Sequence, residues 1–202
     1  LLPFILYLAA YLPYLWRDPD FGLRDWWDCQ QYMYWYHSTL EATHPFESRW
    51  FTWLLDLRPV WYYQNVNLPA GLKGSIAGLG GPVLWLAGLA AVLLILWRQV
   101  SARGSRAGAG VLILYGTQLI PWMLVARCTF LYHYFPSSMF CLAAVALVLA
   151  RWRDERRAKR IAAGLLAASL VLFVWFYPVL SGLPVPDLWA QSLKILPSYG
   201  FY

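Results

Sequence analysis

Residues 125–136, VARCTFLYHYFP, hold an arginine, two tyrosines and a histidine in close succession. A guanidinium is a planar fork of donors matched to the oxygens of a phosphate diester. Arg127 stands where an apolar run gives way, at the depth where a lipid carrier presents its phosphate. Tyr132, His133 and Tyr134 add three hydrogen-bonding rings beside it. The plainer reading is an interfacial anchor, with Arg127 snorkelling to the headgroups. A second cluster is HPFESRWFTWLLDLRPVWYY, residues 44–63. Its His44, Ser48, Trp53, Arg58, Trp61 and Tyr62 combine aromatic platforms with hydrogen-bonding neighbours, which suits a sugar or an extended peptide and equally suits an aromatic belt at a membrane surface.

Other constellations carry less. Ser48 with His44 and an acid would make a hydrolase triad, but no GxSxG turn surrounds the serine. In RDPDFGLRDWWD, Asp18, Asp20, Asp25 and Asp28 alternate with Arg17 and Arg24, the pattern of ion pairing and helix capping rather than of acid–base work. His37, His44 and His133 are dispersed, and Cys29, Cys128 and Cys141 have no CxxC spacing. No bound metal is therefore expected. The glycine-rich AGLKGSIAGLGGP follows no strand, so it reads as a loop leading into close helix packing rather than a phosphate cradle. The prolines of LRPVWYYQNVNLPAG are expected to end regular structure there.

The elements that position these residues follow from the solvent. The chain has 202 residues, 60% hydrophobic, 18% aromatic and only 13% charged. A soluble surface demands more charge than that, so an all-α integral membrane protein is expected. Four nearly uncharged segments approach the roughly 20 residues that span a bilayer: Ile76–Trp97, Val111–Ala126, Phe130–Ala150 and Ile161–Leu180. A fifth, Leu1–Trp16, reads as the end of a truncated helix, giving about five transmembrane helices in a piece of a longer protein.

The net charge of +6 is concentrated in WRQVSARGSR (residues 97–106) and RWRDERRAKR (residues 151–160). Short basic loops beside spans mark the cytoplasmic side, which accounts for the charge without nucleic acid. Alternation then puts residues 17–75 and the tail 181–202 outside, with residues 76–180 forming the four spans. The outer loop holds Asp18, Asp20, Asp25, Asp28, Glu41, Glu47 and Asp56, seven of the ten acids. Within it, Trp26, Cys29, Met33, Tyr36 and Leu40 recur at spacings of three and four, the signature of an interfacial helix.

The two clusters resemble a known family. HPFESRWFTWLLDLRPVWYY is similar to a stretch reading H-P-Y-x-S-x-W-x-x-W-P-L-x-x-R-P-V-W-Y-Y, and RCTFLYHYFPSSMF resembles a block R-x-x-F-x-Y-H-Y-x-P. Both belong to the C-terminal four-helix membrane domain of protein O-mannosyltransferases. QLIPWMLVAR resembles the family's Q-x-x-P-W block. IAGLGGPVLWLAG is similar to its G-N-P-x-x-W helix start, with Gly81 where asparagine is usual; Leu54 stands where proline is common.

The resemblance implies the C-terminal part of a GT-C glycosyltransferase that moves mannose, with inversion, from a polyprenyl (dolichyl-type) phosphate carrier to Ser or Thr hydroxyls of secreted proteins. The catalytic carboxylates would lie in an N-terminal part, outside this chain, and no cofactor is expected here. Arg127, Tyr132, His133 and Tyr134 are the candidates for the donor phosphate or its pocket. His44, Ser48, Trp53, Arg58, Trp61 and Tyr62 are the candidates for the donor and acceptor cleft. The short outer loop, without an inserted soluble β-domain, and the Ala-, Leu-, Gly- and Arg-rich composition suggest a bacterial enzyme, multi-pass in the plasma membrane among its lipids. The rivals are a related lipid-carrier glycosyltransferase with another sugar or acceptor, such as lipid A or a cell-wall polymer, and a non-catalytic membrane scaffold. A transporter is disfavoured, because the spans carry no buried acid or pair of broken helices.

Overall fold

The computed structural model describes residues 1–200 and divides them into two compact units, Leu1–Ala42 and the chain from Thr43 onward. The first unit contains three helices: α1 (Leu2–Ala9), α2 (Leu12–Arg17) and α3 (Leu23–Thr39). The single helix expected over residues 1–16 is thus broken at Ala10–Tyr11, where Pro13 enters the first turn of α2 and starts a new helix. The expected amphipathic helix is α3. It starts after Gly22, whose N–H donates to Asp25 Oδ2 at 2.8 Å. Its covered face lies in the first half, where Trp26 meets Phe4, Tyr7 and Tyr11 edge-on at 6.4 Å each and Gln30 bridges the Tyr7 and Tyr11 hydroxyls. Met33 and Tyr36, expected on the same face, are exposed.

The second unit is a bundle of α5 (Pro82–Val100), α6 (Arg106–Met123), α7 (Phe135–Ala150) and α8 (Glu155–Ser181), preceded by the short α4 (Trp50–Trp53). Trp85, Gly88, Ala91, Val92 and Ile95 form one buried stripe on α5, the three-and-four spacing of a single helical face. They pack with Tyr115 and Leu119 of α6 and Cys141 and Ala144 of α7. A Cβ on Gly88 would stand 2.5 Å from the Cβ of Cys141, so glycine lets α5 and α7 cross in contact, as small residues do between membrane helices. Leu86, Leu93, Leu96 and Trp97 of α5 face outward and are exposed, an arrangement stable only in an apolar solvent.

Among the described residues, Pro82–Val100, Leu131–Ala150 and Glu155–Ser181 are long and apolar enough to cross a membrane. The expected span Val111–Ala126 is α6, which starts earlier at Arg106, ends at Met123 and includes Thr117 and Gln118. The expected start at Ile76 is displaced to Pro82, the first helical residue of α5, because Ile76 belongs to a strand. Strands β1 (Val60–Gln64) and β3 (Ser75–Gly78) pair antiparallel, with Val60 opposite Gly78, Gln64 opposite Ser75 and a bulge between Trp61 and Tyr63. Strands β2 (Leu72–Lys73) and β4 (Val185–Pro186) form a second small pair, followed by α9 (Asp187–Ser192). Two segments read from sequence as irregular therefore contain three strands, and residues 182–200 dock by β4 onto the chain before the bundle. The fold stays mostly helical.

Candidate functional site

The bundle ends at Pro82, Met123, Phe135 and Ser181 share a side, and there residues 43–81, 124–134 and 182–199 interlock as a cap. Its centre is a reciprocal clasp between the two motif clusters. The Ser48 N–H donates to the Thr129 carbonyl and the Thr129 hydroxyl donates to the Ser48 carbonyl, both at 2.8 Å. Both residues are buried, so each polar group finds its partner away from water. Trp53, wholly buried, donates its indole N–H to Ser48 Oγ at 2.9 Å, and Trp85 of α5 donates to the Trp53 carbonyl at 2.8 Å. Ser48 Oγ is thus engaged by an indole rather than by His44, whose Nδ1 accepts from the Phe46 N–H at 3.2 Å.

A 3₁₀ turn, Leu131–Tyr134, leads into α7. It sets His133 among aromatic rings: Trp122 at 4.0 Å, Tyr132 at 4.5 Å and Trp53 stacked at 6.0 Å. His133 Nδ1 lies 3.0 Å from both the N–H and the carbonyl oxygen of Phe130, so it accepts from the one or donates to the other according to the ring's tautomer. Tyr134 points the other way, into the core, where its hydroxyl meets that of Tyr115 at 2.9 Å.

Above the clasp lies a basic, aromatic rim. Arg58 donates to the Pro45 carbonyl at 2.9 Å and Arg49 to the Ala126 carbonyl at 3.4 Å. Arg127 is half-buried beside Cys128 and Tyr132. Among the described residues the one ion pair is Lys159–Glu155, so none of these three arginines is in direct contact with a carboxylate, although Glu47 acts on Cys128 beside Arg127. Tyr62 neighbours Tyr132, and burial and that neighbour raise its hydroxyl above the usual phenol range. Burial, a hydrogen bond with Glu47 and the charge of Glu47 raise the Cys128 thiol in turn, against the pull of Arg127, which keeps it an inert thiol. Trp61 packs edge-on against Phe46 at 5.5 Å. The ten sequence candidates thus separate by depth. His44, Arg58, Trp61, Tyr62, Arg127, Tyr132 and His133 reach the surface wholly or in part, whereas Ser48, Trp53 and Tyr134 lie beneath it.

The sequence reading missed the opposite corner of the cap. Asp56 follows α4 in a left-handed conformation, φ 50°, uncommon outside glycine, asparagine and aspartate. It is 2% exposed. Its Oδ2 accepts from the Gly80 N–H at 2.9 Å, and the Tyr199 hydroxyl donates to its carbonyl at 2.8 Å and reaches Oδ2 at 3.2 Å. Oδ1 is buried without a partner. Burial pushes this carboxyl up to about 7, against the opposing pull of Gly80 and Tyr199. The same burial, with Asp56 alongside, raises the Tyr199 hydroxyl. Asp56 pins the tail to the segment before α5, and from sequence it was one acid among seven in an outer loop.

Residues 22–199 match the model of the C-terminal four-transmembrane region of protein O-mannosyltransferase. A polyprenol-phosphate-mannose–protein mannosyltransferase of Mycolicibacterium smegmatis is 30% identical over 238 aligned positions, covering 98% of this chain and 46% of that protein. Proteins of the same name from Mycobacterium tuberculosis and Corynebacterium glutamicum are 27% and 25% identical, covering 98% and 81% of this chain and 45% and 35% of their own lengths. The chain thus spans less than half of these relatives. The structure of the S. cerevisiae Pmt1-Pmt2 O-mannosyltransferase complex bound to the sugar donor superposes with a TM-score of 0.75 at 22% identity, over 90% of this chain and 27% of that one, a likeness of fold.

Proposed function

Because the chain belongs to the family of C-terminal four-transmembrane regions of protein O-mannosyltransferases, we propose that it is the carrier-binding half of an enzyme moving mannose from a polyprenyl phosphate to Ser or Thr hydroxyls of exported proteins. The observation that carries this reading is the rim of Arg49, Arg58 and Arg127, which has no carboxylate partner among the described residues and is interleaved with Tyr62, Tyr132 and His133. Transfer leaves a polyprenyl phosphate whose negative charge must be held as the glycosidic bond breaks. Donors already fixed in place stabilise such charge with little reorganisation. Arg127 is assigned to the phosphate, with the Tyr132 hydroxyl and the His133 ring beside it. Trp61 and Tyr62 offer rings to the sugar or the acceptor chain, and His44 and Arg58 flank them.

Ser48, Trp53 and Tyr134 act from beneath, by holding the two motif clusters in register. Asp56 is 2% exposed, with its Oδ2 held by Gly80 and Tyr199, and its carboxyl is assigned to holding the tail rather than to the acceptor hydroxyl. Proton removal from that hydroxyl is assigned to the part of the enzyme that this chain does not contain. The basic segments 97–106 and 151–160 are placed in the cytoplasm by charge bias, and the cap faces outward from a bacterial plasma membrane, consistent with the bacterial sources of the relatives.

The test is transfer itself. Membranes holding the full-length enzyme are supplied with radiolabelled polyprenyl-phosphate-mannose and a Ser/Thr-rich peptide, and label is expected on the peptide. Labelling of a lipid or polymer instead, or transfer only from another sugar donor, would sink the assignment.

A further inference from the structure

At the other end of the bundle, a shallow crevice opens between the last turn of α5 and the end of α7. Ile95, Leu147 and Val148 form its apolar floor, and Arg98 and Arg151 stand on its walls. Among the described residues no Asp or Glu lines it, and neither arginine has an ion-pair partner. Its third wall is a built turn. The Gln99 side chain donates to the Ser105 carbonyl at 2.7 Å, and Ser105 Oγ in turn caps α6 by accepting from the Gly108 N–H. A Cβ on Gly104 would overlap Gln99 Oε1 at 1.7 Å, and Ala102 holds a left-handed φ of 55°. The Gln99 amide is thus spent on the turn, and the polar groups left to a ligand are the two guanidiniums.

Two cations over an apolar floor, at a bundle end, match one chemistry: a phosphate diester whose chains continue into hydrocarbon. Loop arginines retained only for charge bias would be expected to stand clear in water, as Arg103, Arg106, Arg156 and Arg160 do. Arg98 is half-buried at the crevice instead, whereas Arg151 on the facing wall is exposed. We propose that the crevice between the ends of α5 and α7 binds the phosphodiester of an anionic glycerophospholipid, with Arg98 and Arg151 as its cationic partners and Ile95, Leu147 and Val148 against the first methylenes. Basic pockets between membrane helices bind anionic headgroups in this way. Only the leaflet that supplies the lipid depends on the sidedness proposed above.

Native mass spectrometry of the full-length enzyme, released from detergent with phosphatidylglycerol or with phosphatidylcholine, tests this directly. One phosphatidylglycerol is expected to survive activation that strips phosphatidylcholine. The double variant R98Q/R151Q should hold it about a hundredfold more weakly, the scale of two lost charge-assisted hydrogen bonds, and R98K/R151K should recover part of the retention. R156Q/R160Q removes the same charge outside the crevice and should retain the lipid. A thermal melt of each variant separates lost binding from lost folding. Equal retention of both lipids, equal loss in both double variants, or displacement by soluble glycerophosphate at the lipid's own concentration would each overturn the site. Mannosyl transfer is not measured, so the outcome is independent of the proposed activity.

Discussion

The bundle and the cap of the second unit are stabilised in opposite ways. Between α5 and α7, Gly88, Ala91 and Ala144 let backbones approach, and the leucines left over face outward. Lipid is as apolar as those leucines, so shape and dispersion decide the packing there. In the cap, water is the competing solvent, and the same chain uses hydrogen bonds across long sequence separations: a reciprocal pair between Ser48 and Thr129, and single bonds from Trp85 to Trp53 and from Gly80 and Tyr199 to Asp56. The bundle should therefore respond chiefly to volume and the cap chiefly to polar partners and to pH.

The sharpest separation concerns Asp56. Its carboxyl is raised from the ordinary 3.8 to about 7 in the folded state, so between about pH 4 and about pH 7 the folded chain binds the extra proton. Stability contributed by the protonated group is present below the unfolded value and is lost as pH rises through the folded one. A shift of this size corresponds to at most ~4 kcal/mol. Hydrogen exchange should show the tail around Tyr199 opening as pH rises through that window while α5 and α7 stay protected, and D56N should abolish the pH slope. A wild-type cap indifferent to pH would contradict the assignment.

In the bundle, G88L should cost ~3 kcal/mol through overpacking, because even its Cβ meets Cys141. Thermal unfolding in detergent would register it at every pH, in contrast to D56N. The proposed phosphate ligand comes next. R127A should lower kcat/KM of the full-length enzyme about a hundredfold, the scale of one lost charge-stabilising donor, without shifting the melting temperature. R127K should recover part of the rate. A melting shift comparable to that of G88L would demote Arg127 to a structural anchor.

What the sequence disclosed follows the same division. The helices of the bundle were legible with starts displaced by five or six residues, because runs such as 82–97 and 135–150 have no other stable fate in lipid. The motif clusters were legible as blocks, and the blocks do meet, at Ser48 and Thr129. Depth was not legible. Ser48, Trp53 and Tyr134 look as available in the sequence as Tyr132, and only the tertiary partners decide which side of the surface each occupies. Asp56 was hidden for a related reason: its left-handed φ and its tie to Tyr199, 143 residues away, leave no local pattern. The strands were missed because Pro59 and the glycines around Ser75–Gly78 read as breakers, although a two-stranded ladder with a bulge tolerates them at its edges.

The smallest expected effect falls on Thr129, and it shows most directly what ties the cap together. T129V keeps the volume and removes the hydroxyl that donates to the Ser48 carbonyl, leaving that acceptor buried without this partner. The loss of one buried partner costs ~1–2 kcal/mol. The reverse bond, from the Ser48 N–H to the Thr129 carbonyl, is made by backbone and survives, so the cap should loosen rather than detach. T129S, which restores the donor and gives up a methyl group, should recover most of the stability. Proteolysis between residues 43 and 64 should quicken in T129V but not in T129S, with α5–α8 resisting equally in both. Were T129S as sensitive as T129V, the methyl rather than the hydrogen bond would be holding the two blocks together, and the cap would obey the packing rule of the bundle below it.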